Sequence, residues 1–273
     1  MSWKRRKRKK RMRRSESITT IKVVGALTED VIETERRTGG GVYYSSLGVL
    51  ASGTNVEVVA IGGYMSVLAS MGLPLSGLVA IRGRRAVFEI SHEGGSRKLV
   101  LLRRPVPTLS VSYHDQWAVV NPVCGEIRRV EGDHVFIDVQ GFVRLCEEGR
   151  PIEVDRTRKL GFKVRGAHAN YTEVPEGGLP GREVLISYDE DGFDIIIKGE
   201  GKHRIKPSIV GDYGIGTGDF LLGAYVGFRA KGLRPLDAAV RAQRELESFS
   251  TLGPDEWIRR TLGSSSQRTY RRA

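Results

Sequence analysis

The sequence has few of the residues that would cross-link a chain or hold it in a membrane. Its 273 residues include two cysteines, Cys124 and Cys146, whose number and spacing fit neither a disulfide framework nor a metal site. We therefore expect two buried free thiols. No uninterrupted apolar run reaches the roughly 18 residues of a membrane span. No apolar segment follows the basic N-terminus, so we also expect no secretory signal.

Asparagine and glutamine are scarce as well, with three and four residues, whereas 28% of the chain is charged. Proteins from organisms that grow at high temperature show this bias, because amide side chains are thermolabile and networks of charged residues stabilise hot proteins. We therefore expect a cytoplasmic protein from a thermophile.

Acidic residues are absent from both ends of the chain. The net charge is +12, but ten of the 44 Lys and Arg residues lie within residues 4–14 and three more lie within the last six residues. Between Ser15 and Gln267, 31 bases face 32 acids. Like charges repel, so we predict a disordered basic arm over residues 1–17, a folded domain over 18–267 and a basic tail over 268–273.

The arm raises one alternative of another class, a nucleic-acid-binding protein. The near-neutral body argues against nucleic acid as the substrate.

Short apolar runs separated by helical or loop segments predict a parallel sheet buried on both faces. The alternating segments Ala86–Ser91 and Arg97–Leu102 flank Gly94-Gly95, a hairpin pattern that predicts a small antiparallel flap around residues 81–104. The fold class we predict is α/β, with a doubly wound, mostly parallel sheet, helices on both faces and this flap. Strands are predicted over 21–25, 56–61, 117–120, 134–139, 165–169 and 183–187, a helix over 42–51, and a second hairpin over 194–198 and 203–207.

The most informative segment is a glycine-rich loop from Gly211 to Asp219 that leads into an apolar helix ending near Gly232. Such a loop directs backbone N–H groups at one point, where the helix dipole adds positive potential, so it predicts an anion site. It lacks the pattern of a Walker P-loop and of a dinucleotide fingerprint. A carboxylate beside a phosphate cradle suits transfer of a phosphoryl group to a hydroxyl. Alternatively, Asp219 is a helix cap.

Gly216-Thr217-Gly218-Asp219 resembles the G-A-G-D core of the D-T-x-G-A-G-D signature of the ribokinase-like, or PfkB, carbohydrate kinases. Asp212 lies one residue further upstream than the leading Asp of that signature. The resemblance implies that Asp219 is the catalytic base and that the amides of Gly216, Thr217 and Gly218 form the anion hole.

Other segments of the sequence resemble further motifs of the same family, and they occur along the chain in the order that the family shows. Asp30, after Gly25, resembles the aspartate that binds a substrate hydroxyl, and Gly39-Gly40-Gly41 resembles the paired glycines that approach the substrate. Asn170 and Glu173 resemble the N-x-x-E motif of the Mg²⁺ and phosphate network. Taken alone, Asp30 fits a solvated or capping residue, and Asn170 with Glu173 fits a helix cap.

Several segments depart from the usual family pattern. The run Gly41 to Ser46 lacks the expected Asn. The segments Asn121-Pro122-Val123 and Ile137 to Arg144 do not match the sugar-kinase D-x-N pattern. These segments resemble the short archaeal myo-inositol kinases of the family. By that resemblance Gln140 and Arg144 bind the acceptor; alternatively, they support a strand end.

The nucleotide-side motif, usually Thr-x-Gly, is Ser187-Tyr188-Asp189 here. The family position implies that Ser187 and Asp189 contact the nucleotide. The acid at this place leaves open an inactive, kinase-like sensor.

The resemblance implies a kinase that transfers the γ-phosphoryl group of ATP, with Mg²⁺, to a hydroxyl of a polyol. The resemblance to the archaeal subgroup implies that this polyol is myo-inositol. A nucleoside kinase or a kinase of ribose or another sugar is the alternative within the same fold. Its partners would be a small polyol or sugar and a nucleotide, and a homodimer is compatible with the sequence.

Overall fold

A computed structural model describes residues 19–63, 73–93 and 96–263. The predicted basic arm and basic tail, and the Gly94-Gly95 turn of the flap, lie outside the described residues. None of the helices in the described ranges is long and apolar enough to cross a membrane.

Among the described residues, strands make up most of the regular structure up to Ile205, and the two longest helices follow them. The strands are β1 (Thr20–Ala26), β2 (Thr28–Ile32), β3 (Glu35–Gly39), β4 (Asn55–Ile61), β5 (Gly77–Ile81), β6 (Ala86–Glu93), β7 (Ser96–Arg103), β8 (Leu109–Ser112), β9 (Ala118–Val120), β10 (Ile127–Asp138), β11 (Arg144–Leu145), β12 (Arg150–Pro151), β13 (Glu153–Val154), β14 (Lys163–Asn170), β15 (Glu183–Ser187), β16 (Phe193–Ile197) and β17 (Gly201–Ile205). The helices are α1 (Gly41–Ala51), α2 (Gln140–Val143), α3 (Thr217–Ala230) and α4 (Pro235–Trp257), with short 3₁₀ turns at Tyr171–Glu173 and Asp189–Asp191 and a π turn at Ile258–Leu262.

The central sheet has the strand order β17-β16-β15-β14-β10-β9-β1-β4-β5, with β8 beside β10. Its strands are parallel except for the hairpin of β16 and β17 at one edge. The predicted fold class is confirmed. The strand predicted over 134–139 begins earlier, at Ile127, because the preceding polar residues continue the ladder with β8.

Alternate residues of the strands belong to two apolar clusters, so both faces of the sheet are buried. The cluster that contains Val23 also holds residues of α1, α3 and α4. The cluster that contains Val24 includes Phe142 of α2 and apolar residues of the flap.

Helices α1 and α3 lie in close contact through glycines. A Cβ atom added to Gly48 would overlap the carbonyl of Phe220, and one added to Gly223 would overlap the carbonyl of Ser45. This contact brings the N-terminal ends of both helices to the same edge of the sheet. There, the Ser45 hydroxyl donates a hydrogen bond of 3.1 Å to the backbone oxygen of Asp219.

The flap is a second sheet with the order β12-β7-β6-β2-β3. The predicted hairpin is present as β6 and β7, and it is extended by strands from elsewhere in the chain. Leu27 alone separates β1 of the central sheet from β2 of the flap. The first strand therefore feeds directly into the flap and carries Asp30 to it.

The prediction of two free thiols is wrong, because Cys124 and Cys146 form a disulfide with Cα atoms 5.7 Å apart. Cys124 lies in the loop after β9 and Cys146 follows β11 directly. The pairing depends on the parallel arrangement of β9 and β10, which brings these two loops to the same end of the sheet. Spacing along the sequence does not reveal it.

Candidate active site

A cleft of about 950 Å³ lies at the carboxyl ends of the parallel strands, between the central sheet and the flap. Ligands of open α/β sheets bind at this edge. Its flap side includes Asp30, Phe88 and Leu99, and its opposite side includes Asn170 and Asp189. We call these the acceptor side and the donor side.

Asp219 lies at the centre of the cleft, in the first turn of α3. Its carboxylate accepts hydrogen bonds from the Asn121 side chain at 2.8 Å and from the Gln140 side chain at 3.0 Å. The cap position of the helix belongs to Gly216, so the alternative of a capping role for Asp219 does not hold. Burial, followed by the charge of Asp138, raises the pKa of Asp219 to about 7, although the Asn121 hydrogen bond opposes the shift.

Two glycines of the loop, Gly216 and Gly218, leave no room for a side chain. Gly216 adopts φ 71°, and a Cβ atom there would overlap the ring of Tyr44. A Cβ atom on Gly218 would lie 2.7 Å from Cε1 of His168. The first N–H groups of α3 have no carbonyl one turn earlier to bond, so they provide an anion-binding point beside Asp219. The roles predicted for Gly216, Thr217 and Gly218 fit this geometry and stay predictions.

Asp30 is buried on β2, where the Thr28 hydroxyl donates to its Oδ1 atom at 2.7 Å. A Cβ atom on Gly39 would overlap its carboxylate, and one on Gly41 would overlap the side chain of Asn121. Gly40 adopts φ 97°, a conformation that favours glycine. The three predicted glycines therefore allow the turn from β3 into α1 to pass close to two polar side chains of the site.

Asn121 is a site residue to which the sequence analysis assigned no role, although it noted the segment Asn121-Pro122-Val123. It is fully buried directly after β9. Its amide donates to Asp219 and, at 2.9 Å, to the Ser45 hydroxyl, and its oxygen accepts from Gln140 at 2.9 Å. One of only three asparagines in the chain, placed just after an apolar strand, was the available signal.

Gln140 and Arg144 take up different places in the cleft. Gln140 contacts Asp219 and Asn121, as given above, whereas Arg144 donates to Glu173 at 2.8 Å, with both side chains largely buried. Burial lowers the pKa of Arg144, but the charges of Glu173, Asp138 and Asp219 outweigh the effect of burial, so the pKa is raised overall. The structure thus pairs a predicted acceptor residue with a predicted residue of the phosphate network.

The donor side brings together the other predicted residues. Asn170 accepts from the Thr172 backbone at 3.1 Å, so it does cap the turn Tyr171–Glu173, and it also donates to Asp189 at 3.0 Å. Ser187 ends β15 and lines the same wall. A structural and a functional role of Asn170 are compatible in this arrangement.

Asp138 and His168 form a second contact that the sequence analysis missed. Both are 3% exposed, and Nδ1 of His168 lies 2.6 Å from Oδ2 of Asp138. Asp138 also accepts from the backbone of Gln140 at 2.9 Å. The pair joins the ends of β10 and β14 directly beneath the glycine loop.

The described residues contain no group of three His, Cys, Asp or Glu side chains that could hold a metal ion. Mg²⁺ commonly uses one or two carboxylates together with substrate phosphates and water. Glu173, a buried carboxylate on the cleft wall, fits that kind of site.

No protein-family model and no curated protein matches the sequence. Solved structures do match. A pyrophosphate-dependent kinase in the ribokinase family, complexed with a pyrophosphate analogue and myo-inositol, superimposes with a TM-score of 0.66 at 16% identity, covering 89% of this chain and 99% of that one. The chain has the ribokinase-like fold.

Two further solved structures also superimpose on this chain over most of its length. Ribokinase from Thermotoga maritima gives a TM-score of 0.56 at 14% identity, covering 91% of this chain and 99% of that one. A nucleoside kinase from Burkholderia thailandensis, complexed with inosine, gives 0.55 at 11% identity, with 90% and 98% covered. The fold implied by the sequence motifs is confirmed.

Proposed function

We propose that this ribokinase-like protein is a kinase that transfers the γ-phosphoryl group of a nucleotide to a hydroxyl of a small polyol. The observation that carries the proposal is Asp219, a partly buried carboxylate held by Asn121 and Gln140 beside the N–H groups of a glycine loop. Its surroundings raise its pKa to about 7. A general base works best when its pKa lies near the operating pH.

The geometry supports one sequence of events. The acceptor lies between the flap and the sheet, held by Asp30 and the backbone of Gly39 to Gly41. Its hydroxyl oxygen bonds to the γ-phosphorus while the bond to the nucleoside diphosphate breaks, and its proton passes to Asp219. The loop amides stabilise charge on the transferring group, and the flap excludes water that would otherwise hydrolyse the donor.

Mg²⁺ bound with the donor would neutralise phosphate charge, with Glu173 and the donor phosphates as its holders. Arg144, paired with Glu173, adds a buried positive charge at the same wall.

A nucleotide donor is favoured by side chains at the donor side. Ile209 and Val210 are 59% and 56% exposed and line the cleft, a surface suited to a base. Gln243 also lines the cleft, is 5% exposed, and its Oε1 atom has no hydrogen-bond partner within the described part of the chain. An amino group of adenine would satisfy it. Pyrophosphate, the donor of one structural neighbour, would use none of these groups.

The acceptor we propose is myo-inositol, supported by the polar pair Thr28 and Asp30 and by the myo-inositol complex of a structural neighbour. A nucleoside is the second candidate, because the flap side also presents Phe88, Leu99 and Ile152 to the cleft. These apolar side chains suit a base.

The test is a panel of acceptors and donors with the full-length protein. Myo-inositol, ribose and adenosine are each offered with ATP or pyrophosphate, and phosphorylated product is followed by ³¹P NMR. We expect turnover of myo-inositol with ATP. A preference for adenosine over myo-inositol would replace the proposed acceptor, and a preference for pyrophosphate over ATP would replace the proposed donor. No transfer in any combination would refute the proposal that the protein is a kinase.

A further inference from the structure

The cleft contains a buried histidine that no step above uses. His168 lies on β14 between the carboxyl ends of β10 and β15, with Asp138 bonded to its Nδ1 atom and the Ser187 hydroxyl 3.2 Å from its Nε2 atom. Asp138, His168 and Ser187 all line the cleft. The ring is therefore held at both nitrogens, which fixes its orientation.

The imidazole touches the anion-binding loop from below. A Cβ atom on Gly218 would lie 2.7 Å from Cε1 of His168, so the glycine backbone rests directly on the ring. A charge on this ring would therefore lie close to the loop whose amides we expect to face the phosphoryl group. In a site that excludes water, such a charge acts across this short distance with little screening.

The charges around the ring favour the imidazolium. Three carboxylates face it, Asp138 from β10, Asp219 from α3 and Glu173 from the turn after β14, whereas Arg144 from β11 is the cation paired with Glu173. With a neutral His168, a polyanionic donor would approach three carboxylates offset by one guanidinium. Burial lowers the pKa of His168, but its bond to Asp138 and the charges of the three acids outweigh burial and raise it overall.

We propose that His168, held as an imidazolium by Asp138, is a positioning residue for phosphoryl transfer: it supports the glycine loop, places positive charge beside that loop and holds the Ser187 hydroxyl in place at the donor side. This inference rests on the proposed kinase function. Both nitrogens donate in this state, Nδ1 to Asp138 and Nε2 to the Ser187 oxygen, while the Ser187 hydroxyl itself donates to the backbone oxygen of Ala169 at 3.5 Å.

The kinetic test compares His168→Gln, which removes the charge, with His134→Gln as a matched control. His134 lies on β10, where its ring stacks on Trp117, and it does not line the cleft. With ATP and the acceptor that the panel selects, we expect His168→Gln to lower kcat by about 10–100-fold with acceptor KM within about twofold. The control should match the parent. A kcat of His168→Gln within twofold of the parent would overturn the proposal.

The pH profile separates this role from simple packing. The parent should lose kcat at high pH as His168 deprotonates, and His168→Gln should lack that alkaline limb. Asp138→Asn should move the limb to lower pH, because the carboxylate that holds the proton is gone. An alkaline limb of unchanged position in both variants contradicts the proposal.

A measurement without turnover separates failure of this inference from failure of the kinase function. ¹⁵N-histidine NMR of the full-length protein, with His168 assigned through His168→Gln, reports its protonation directly. We expect both nitrogens of His168 to carry protons at pH 7. A neutral ring at pH 7 overturns the inference about His168 even if the protein is an active kinase. A charged ring in a protein with no kinase activity refutes only the proposed kinase function.

Discussion

Helix α3 takes part in two carboxylate sites, one partly buried and one buried, that behave in opposite ways. At its N-terminal end it carries Asp219, whose bonded partners are the amides of Asn121 and Gln140. Further along, Tyr225 and Arg229 of the same helix bind Glu183 of β15.

The partners decide the difference. Glu183 receives Arg229 at 2.8 and 2.9 Å, Arg165 at 2.8 Å and the Tyr225 hydroxyl at 2.6 Å. Burial alone would raise the pKa of Glu183, but these groups outweigh burial and lower it. Asp219 is bonded by neutral amides, and its burial and the charge of Asp138 outweigh the opposing Asn121 hydrogen bond and the charges of His168 and Arg144, so its pKa rises to about 7. A carboxylate bonded directly to cations anchors the fold, whereas one bonded only to neutral amides is ready to take a proton.

The largest expected effect is on turnover. Asp219→Asn keeps the hydrogen-bonding oxygen but cannot accept the hydroxyl proton, so kcat should fall by about 10²–10⁴-fold. Steady-state kinetics with the selected donor and acceptor measures this. Asp133→Asn, an exposed acid on β10, is the matched control and should retain the parent rate. A rate of Asp219→Asn within tenfold of the parent means that Asp219 is not the base.

The complementary substitution should affect stability. Glu183→Gln leaves Arg229 and Arg165 without their buried counter-charge, so the free energy of unfolding should fall by about 3–5 kcal/mol. Chemical denaturation measures it. Glu57→Gln, which breaks the partly exposed pair with Lys22, should cost less than about 1 kcal/mol. Equal losses in the two variants would remove the contrast between the buried network and an ordinary ion pair.

The two carboxylates should also give stability opposite dependences on pH. The pKa of Asp219 is 3.8 unfolded and about 7 folded, so the folded state holds the extra proton and loses stability as pH rises from about 4 to about 7. Asp219→Asn removes this loss, and its melting temperature relative to the parent should climb over that window and then level off. Glu183, with a lowered pKa, stabilises the fold at neutral pH and loses that effect as pH falls. A constant difference between Asp219→Asn and the parent from pH 4 to 8 would show that the pKa of Asp219 is not raised.

The smallest effect concerns the hydrogen bond that opposes the shift of Asp219. Asn121→Ala removes a donor to the ionised carboxylate, so the acidic limb of the kcat profile should move up by about one pH unit. Asn55→Ala, at the exposed start of β4, is the control. A limb that stays in place would mean that Asn121 positions Ser45 and Gln140 without tuning Asp219.

The sequence predicted the parts of this comparison that are local. Glycines at 214, 216 and 218 followed by Asp219 and an apolar helix indicate an anion loop with a carboxylate, and alternating apolar segments indicate the flap hairpin. Each signal depends on neighbours in the chain, so it can be found without a fold.

The remaining site residues depend on long-range packing. Asn121, Asp138 and His168 each come just after or at the end of a different strand, and only the strand order places them around one carboxylate. The same reason explains the missed disulfide, whose cysteines lie 22 residues apart in sequence. A single residue at a strand end has no pattern of its own to mark it.

The most direct test of the contrast is a ¹³C NMR titration of the side-chain carboxyl groups, with signals assigned through Asp219→Asn and Glu183→Gln. The account predicts that Asp219 titrates near pH 7 and Glu183 below its usual pKa of 4.5. Titration of Asp219 near pH 4, alongside the exposed aspartates, would contradict it.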